Sequence, residues 1–145
     1  MNFIFKFERL LKIRIFKKEE LENQLAVLQN ELFREREELK RLYLTLEEQY
    51  KLQTQSLCGK LNINDVITVR NYIIKLCSDI EIQKKVIIQL SDETNVKKNQ
   101  LIKAVQKVKI LEKLKEKKYR QFLKEREIAE TYVLDEIGLN QFLRK

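Results

Sequence analysis

Two runs of heptad repeats, separated by a single break, account for nearly the whole chain. In the first run, positions a and d alternate from Phe7 to Gln49, and nine of these thirteen positions are apolar. The second run starts at Val66 and continues to Leu143. Apolar residues at this spacing form a stripe along an α-helix that packs against another helix. The pattern therefore predicts an all-α fold built from two long helices.

The whole chain has two glycines and no proline, so turn-forming residues are scarce. The break between the two runs is the one place where they occur together. Gly59 favours the left-handed conformation that ends a helix. Either Asn62 or Asn64 is suited to cap the next helix, with Asp65 favourable in its first turn. We therefore expect one domain over residues 1–145, with helix 1 at about 3–57, a turn at about 58–64 and helix 2 at about 65–143.

The position of the turn also sets the register of the two helices. In an antiparallel hairpin the numbers of facing residues have a constant sum, and a turn centred on Leu61 makes that sum about 122. Apolar residues then face one another along most of the seam, and residue 4 faces residue 118. The sequence thus predicts a long antiparallel coiled-coil hairpin in which helix 2 overhangs helix 1 from about Arg120.

Charged residues are distributed unevenly along the sequence. Residues 1–18 have a net charge of +5, residues 19–50 of −5, and residues 96–126 of +9. The register brings the two basic blocks side by side, away from the turn, so we expect the overhanging end to be basic. The apolar stripe of the overhang has no partner in the chain, which predicts a docking surface for another protein. Fraying, or folding back near Gly138, is the alternative.

Several kinds of active site are excluded by the residues present. The chain has no histidine, which removes Ser/His/Asp and Cys/His catalytic systems. Cys58 and Cys77 lie too far apart in the register for a disulfide or a zinc site. The Gly59-Lys60 pair lacks the other residues of a phosphate-binding loop. We therefore expect no enzymatic activity, no metal and no cofactor, and the absence of a recognised basic motif argues against nucleic-acid binding.

The N-terminal stretch is apolar but interrupted by Lys and Arg, so it resembles neither a signal peptide nor a membrane span. Two unpaired cysteines are typical of a reducing compartment, and we expect a cytoplasmic protein. An amphipathic helix on an anionic membrane is one interpretation of residues 3–16. Packing of this stretch against Leu111 and its neighbours in the hairpin is the simpler one.

Both ends of the chain resemble the FliJ family, the stalk proteins of the flagellar type III export apparatus. The start, FIFKFERLLKIR at residues 3–14, is similar to the opening of that family. The segment from Leu111 to Lys145 is similar to its C-terminal segment, especially at Leu114, Tyr119 and the Asp135-Glu136 pair before Phe142. With the length and the turn position, the resemblance covers essentially the whole chain.

The resemblance implies a non-enzymatic stalk whose terminal end enters the central hole of a hexameric export ATPase. It also implies contacts with export chaperones and with the cytoplasmic domain of the export gate, and a place at the inner face of the cell membrane reached only through these partners. By position, the family's ring-contacting segment corresponds to Tyr119, Phe122, Ile128, Tyr132, Leu139 and Phe142. We expect the export-gate contact at Leu42, Tyr43, Leu46, Tyr50, Tyr72 and Leu76.

Other interpretations stay open at this point. The three tyrosines beside the seam are either simple seam cover or aromatic anchors for a partner. Self-association through the overhang is the rival interpretation, which would make the chain a structural coiled-coil protein. A stalk of a virulence-type secretion system is a close variant of the flagellar one.

Overall fold

The computed structural model describes residues 2–59 and 62–144, and two long helices make up most of both ranges. Helix α1 covers Glu8–Leu57 and helix α2 covers Ile63–Arg144. No β-strand occurs within these ranges. The fold predicted from the heptad pattern is confirmed, since the chain is an all-α helical hairpin. Neither helix, as far as it is described, contains a stretch that is long and apolar enough to cross a membrane.

Contacts within the chain divide it into two compact units. Unit 1 joins the residues up to Glu20 to those from Leu101 on, and unit 2 comprises Leu21–Gln100. Part of α1 packs against part of α2 in each of them. Each unit therefore has its own section of the apolar seam, and the two sections are described in turn.

The seam of unit 2 is a row of apolar side chains from both helices. Leu42, Leu76 and Ile80 form a buried cluster, and Leu39 and Leu46 pack against it. Every seam position that the heptads predict in this unit is buried or half-buried. Burying one such side chain contributes roughly 1.5–3 kcal/mol relative to leaving it in water. The row as a whole is therefore what holds the two helices together.

Polar residues at seam positions of unit 2 find hydrogen-bond partners. The Gln83 side-chain amide donates to the Glu35 backbone carbonyl at 2.9 Å and also to its carboxylate. Lys97 donates to the Gln24 amide oxygen at 2.8 Å. The buried Thr94 hydroxyl donates to a backbone carbonyl one turn earlier in α2, at 2.7 Å. These bonds limit the cost of placing polar groups in the seam, which is high for a buried group without a partner.

The ends of the two helices at the turn have the geometry that the residues predict. Gly59 has a φ of 81°, in the left-handed region that glycine adopts without strain, and its N–H donates to the Ser56 carbonyl at 3.1 Å. The Asn62 side-chain oxygen accepts the Asp65 N–H at 2.9 Å, which makes Asn62 the N-cap of α2. Leu61, the predicted centre of the turn, lies outside the described residues.

The seam of unit 1 is built around a second buried cluster. It consists of Phe5, Leu11, Val108 and Leu111, and the half-buried side chains packed against it are Phe3, Ile15 and Leu114. Polar contacts cross the same helix pair. Lys115 pairs with the Glu8 carboxylate at 2.8 Å, and Arg14 donates to the Lys107 carbonyl at 3.3 Å.

Helix α1 begins at Glu8, five residues after the expected start near residue 3. Residues 2–5 are not helical, and the Glu8 N–H donates to the Phe5 carbonyl at 3.2 Å in the turn that leads into the helix. The physical reason is packing. Phe3 and Phe5 alternate along the chain, and in this conformation both rings reach the unit 1 cluster.

Contacts across the seam lie at the predicted register or within one helical turn of it. In unit 1, the rings of Phe3 and Tyr119 meet edge to face at 5.2 Å, and the numbers of this pair match the predicted sum. Arg14 bonds a residue one position from its predicted partner. In unit 2, Gln24 likewise bonds a residue one position from its expected partner. The turn residues and the seam pattern therefore determine the same alignment of the helices.

Replacement of Asn62 by alanine should lower the free energy of unfolding by about 1 kcal/mol, because the Asp65 N–H loses its side-chain acceptor. The measurement is urea unfolding followed by circular dichroism. Asn64→Ala is the matched control, because its side chain accepts no hydrogen bond from the first turn, and it should change stability by less than about 0.5 kcal/mol. Equal losses in the two variants would contradict the assignment of the cap.

Candidate protein-binding surfaces

The last six turns of α2, residues 123–144, have no packing partner among the residues that the structure describes. Every one of these residues is exposed, although the helix continues to Arg144. We call this segment the tail. Local interactions within it include an Arg126–Glu130 ion pair at 3.3 Å and a hydrogen bond from the Thr131 hydroxyl to the Glu127 carbonyl at 2.9 Å. Such contacts support a helix only weakly.

Four of the six predicted ring-contact residues lie on the tail with large exposed fractions. The values are 68% for Ile128, 73% for Tyr132, 58% for Leu139 and 75% for Phe142. Ile128, Tyr132 and Leu139 are spaced by four and seven residues, which places them on one side of the helix. We call this side, with Phe142 at its end, the tail face.

The other two predicted ring-contact residues are partly engaged within unit 1. Phe122 is half-buried, and its ring centroid lies 5.5 Å from that of Phe3. Tyr119 is 45% exposed and contacts the same phenylalanine ring from its edge. Both residues therefore fix the end of the seam as well as bordering the tail. The structure does not bring them together with the tail face into one patch.

Sequence reasoning missed two features beside the tail face. A shallow groove runs along the neighbouring side of the tail, and Ala129 and Val133 form its apolar floor between Glu125, Arg126 and Glu130. Phe3 was assigned to the first helix, whereas it supports Tyr119 and Phe122 from outside that helix. The alternation of Phe3, Ile4 and Phe5 is the sequence feature that could have predicted this non-helical start, because a period of two is typical of an extended segment.

Charge is distributed differently from the expected basic overhang. Residues 127–144 contain four acidic residues and one arginine, a net charge of −3. The basic block ends at Arg126 and lies mostly on the part of α2 that packs in unit 1. Unit 1 as a whole has eighteen Lys and Arg against ten Asp and Glu, while unit 2 has twelve of each. The outer part of the tail is therefore acidic and apolar, and the expectation of a basic tail was wrong.

The predicted export-gate residues in unit 2 separate into two groups. Leu42 and Leu76 are buried in the seam cluster, and Leu46 packs against them. The three tyrosines are at the surface, with exposed fractions of 43% for Tyr43, 47% for Tyr50 and 38% for Tyr72. The leucines therefore support this region from below, and only the tyrosines are open to a partner.

Charged groups lie beside two of the three tyrosines. The Lys84 ammonium lies 5.8 Å from the centroid of the Tyr43 ring, and the Tyr43 side chain, followed by Glu81, raises the pKa of Lys84. Near another of the tyrosines, Arg41 donates to the Glu38 carboxylate at 3.0 Å and lowers the pKa of that carboxyl. Because these side chains are largely in water, their ion pairs add little to the stability of the fold.

The described residues offer few groups for metal or thiol chemistry. No cluster of three or more Cys, Asp or Glu suited to a metal ion occurs there. Cys58 and Cys77 are both exposed and free.

Comparison with known proteins gives one match. The family model described as "Flagellar FliJ protein" matches residues 3–145, almost the full length of the chain. No curated protein and no solved structure matches significantly.

Ending the chain at Phe122 should change the free energy of unfolding by less than about 0.5 kcal/mol, because the tail buries no side chain against the rest of the chain. Phe5→Ala is the control, since this ring is only 8% exposed in the unit 1 cluster. Its loss should cost about 3 kcal/mol. Chemical denaturation of both variants measures the difference, and a large loss on truncation would mean that the tail packs within the chain.

Proposed function

Since the chain belongs to the flagellar FliJ protein family, we propose that it is a non-enzymatic stalk and adaptor of the flagellar type III export apparatus. The family has a role in flagellar export and consists of components of the export apparatus rather than of enzymes. The proposal adds specific partners, namely a hexameric export ATPase, the cytoplasmic domain of the export gate, and export chaperones. These partners hold the chain at the inner face of the cell membrane.

The observation that carries the proposal is the tail. A helix of 82 residues continues well past the last residue it packs against and remains apolar along one side. Apolar surface of this kind is stabilised when a partner removes it from water, at roughly 25 cal/mol per Å². A single helix also fits a narrow opening, because its diameter with side chains is about 10–12 Å. Insertion of the tail into the central hole of an ATPase ring satisfies both conditions.

The tail face supplies the contact with the ring. Tyr132 and Phe142 are large aromatic side chains of the type that dominates binding energy at protein interfaces, and Ile128 and Leu139 extend the same side. Tyr119 and Phe122, held by Phe3, form the border between the tail and the paired part of unit 1. In this proposal they contact the entrance of the ring.

The export gate is the proposed partner of the three exposed tyrosines in unit 2. Their rings have an apolar body and a hydroxyl, and Lys84 and Arg41 lie beside them, as the contact of Lys84 with Tyr43 illustrates. Tyrosine with neighbouring cationic groups is typical of protein interfaces. Leu42, Leu46 and Leu76 serve this surface by keeping the two helices in place beneath it.

The match to a flagellar family favours flagellar export over a virulence-type secretion system. The exposed tail also favours a second candidate function, a structural coiled coil that self-associates through it. In that case the apolar face would be covered by another copy of the chain. The two functions differ in what binds the tail, which makes them separable by experiment.

Replacing Ile128 and Tyr132 together by serine should weaken binding to a purified hexameric export ATPase by at least about tenfold, because two exposed anchors of the tail face lose their apolar surface. Stimulation of ATP hydrolysis, titrated against the concentration of the chain, measures the loss. Leu123→Ser with Leu134→Ser is the matched control, since these leucines lie on the opposite side of the tail. The control should stimulate hydrolysis as the unaltered chain does.

Full stimulation by the Ile128 and Tyr132 variant would refute the role of the tail face. Light scattering of the unaltered chain separates the second candidate function. A monomer near 17.6 kDa agrees with the stalk. A stable dimer that disappears when the chain ends at Phe122 would favour self-association.

Replacement of Tyr43, Tyr50 and Tyr72 by alanine should reduce binding to the isolated cytoplasmic domain of the export gate by about tenfold or more. The melting temperature should change little, because all three rings are exposed. A variant with Phe33 and Ile74 changed to alanine is the control, since these residues are 65% and 60% exposed in the same unit. Equal effects of the two variants in a calorimetric titration would argue against a tyrosine site.

A further inference from the structure

The first turns of α1 have a second apolar side that does not take part in the seam. Leu11 and Ile15 pack towards α2 in the unit 1 cluster. Ile13 and Phe16, by contrast, are 59% and 69% exposed. Arg9 lies four residues before Ile13 and seven before Phe16, so these three residues share the side of α1 that faces away from α2.

Cationic side chains flank this side of the helix. Arg9, Lys12 and Lys17 are all exposed and lie next to Ile13 and Phe16 on the helix surface. We call these five residues the outer face of α1. Lys6 precedes them in the adjoining turn and is exposed as well.

Acidic groups do little to neutralise the outer face. Glu8 is the single acidic residue among residues 2–18, and Lys115 of α2 pairs with it at 2.8 Å. Lys17 and Glu20 approach each other at 3.7 Å, but both side chains are largely in water, where such pairs are weak. The outer face therefore combines apolar side chains with positive charge that is balanced only at one edge.

We propose that the outer face of α1 binds directly to the surface of a bilayer that contains anionic lipids. Ile13 and Phe16 enter the boundary between headgroups and acyl chains, and Arg9, Lys12 and Lys17 remain at the level of the lipid phosphates. This is the arrangement by which an amphipathic helix lies in a membrane surface. The net charge of unit 1, which contains all of the excess positive charge of the chain, adds a longer-range attraction.

The composition of the outer face favours a lipid surface over a protein partner. Protein interfaces are enriched in Arg and depleted in Lys, whereas here lysines predominate among the cations. A lysine ammonium on a flexible stem suits mobile headgroups, while arginine suits fixed carboxylates. The apolar residues also stand on the convex back of a helix, and a fluid bilayer adapts to this shape without a matching groove.

This contact goes beyond the proposed function, in which partner proteins alone hold the chain at the membrane. It also allows both interpretations of the N-terminal sequence, packing in the hairpin and an amphipathic helix on a membrane, to apply to different residues. Packing in the hairpin, the simpler interpretation, applies to Phe3, Phe5, Leu11 and Ile15 in unit 1. Ile13 and Phe16 remain available for the amphipathic one.

Co-sedimentation of the full chain with lipid vesicles tests the proposal. Vesicles of phosphatidylcholine alone are compared with vesicles in which about a third of the lipid is phosphatidylglycerol, at roughly physiological salt. The unaltered chain should partition onto the anionic vesicles at least about tenfold more strongly than onto the neutral ones, and higher salt should weaken binding. Serine at both Ile13 and Phe16 should lower partitioning onto anionic vesicles by about tenfold.

The matched control carries serine at Ile102 and Ile110, which are 55% and 62% exposed on α2 in the same unit. It removes similar apolar surface and leaves the charge unchanged, so its partitioning should stay within about twofold of the unaltered chain. Circular dichroism of both variants checks that the helices remain intact.

Three outcomes would overturn the proposal. The first is no sedimentation of the unaltered chain with anionic vesicles. The second is equal partitioning of the two double variants, because no loss in either would mean that charge spread over unit 1 is sufficient for binding, and equal losses would mean that apolar surface elsewhere in the unit contributes as much as the outer face. The third is tighter binding to polyglutamate than to anionic vesicles at the same salt, which would indicate an acidic protein as the partner.

Discussion

Apolar burial along the seam between α1 and α2 is the interaction on which the other features of the chain depend. A pair of helices has no three-dimensional core, and none of the described side chains is completely removed from water. Stability therefore accumulates layer by layer, as in the clusters around Leu42 and Leu111. The polar layers at Gln83 and Thr94 add little to that sum, but their hydrogen bonds make other alignments of the helices less favourable.

Each helix in such a pair has one partner, so every apolar side chain outside the seam stays in water. That single constraint produces the candidate binding surfaces. The tail face is exposed because α1 begins at Glu8, which pairs with Lys115 of α2, before the tail. The outer face of α1 is exposed because Leu11 and Ile15 already occupy the side towards α2. Binding sites on this chain are thus surfaces without a partner rather than clefts, which suits recognition of other macromolecules.

Local sequence patterns predicted most of the fold for a physical reason. Heptad spacing reports which side of a helix is buried, and the glycine and asparagines of the break report where helices end. The choice between Asn62 and Asn64 as the cap needed backbone geometry, because both residue types are suitable and only one oxygen meets the Asp65 N–H. Contrary to the predicted helix start near residue 3, the N-terminal Phe3 and Phe5 are not helical, because their contacts with α2 outweigh the local preference for a helix. Among the candidate site residues, exposure separated the tyrosines of unit 2 from the buried leucines Leu42 and Leu76.

The sequence by itself determined two long helices, one reversal, their alignment and the length of helix left without a partner. These properties follow from periodicity and residue type, which act over a few neighbouring positions. Tertiary structure decided which apolar residues remain exposed and where charge stands relative to them. Packing against α2 is what buries Leu11 and leaves Ile13 exposed. The point where this packing ends is what makes the acidic, apolar part of α2 a surface distinct from the basic part before it.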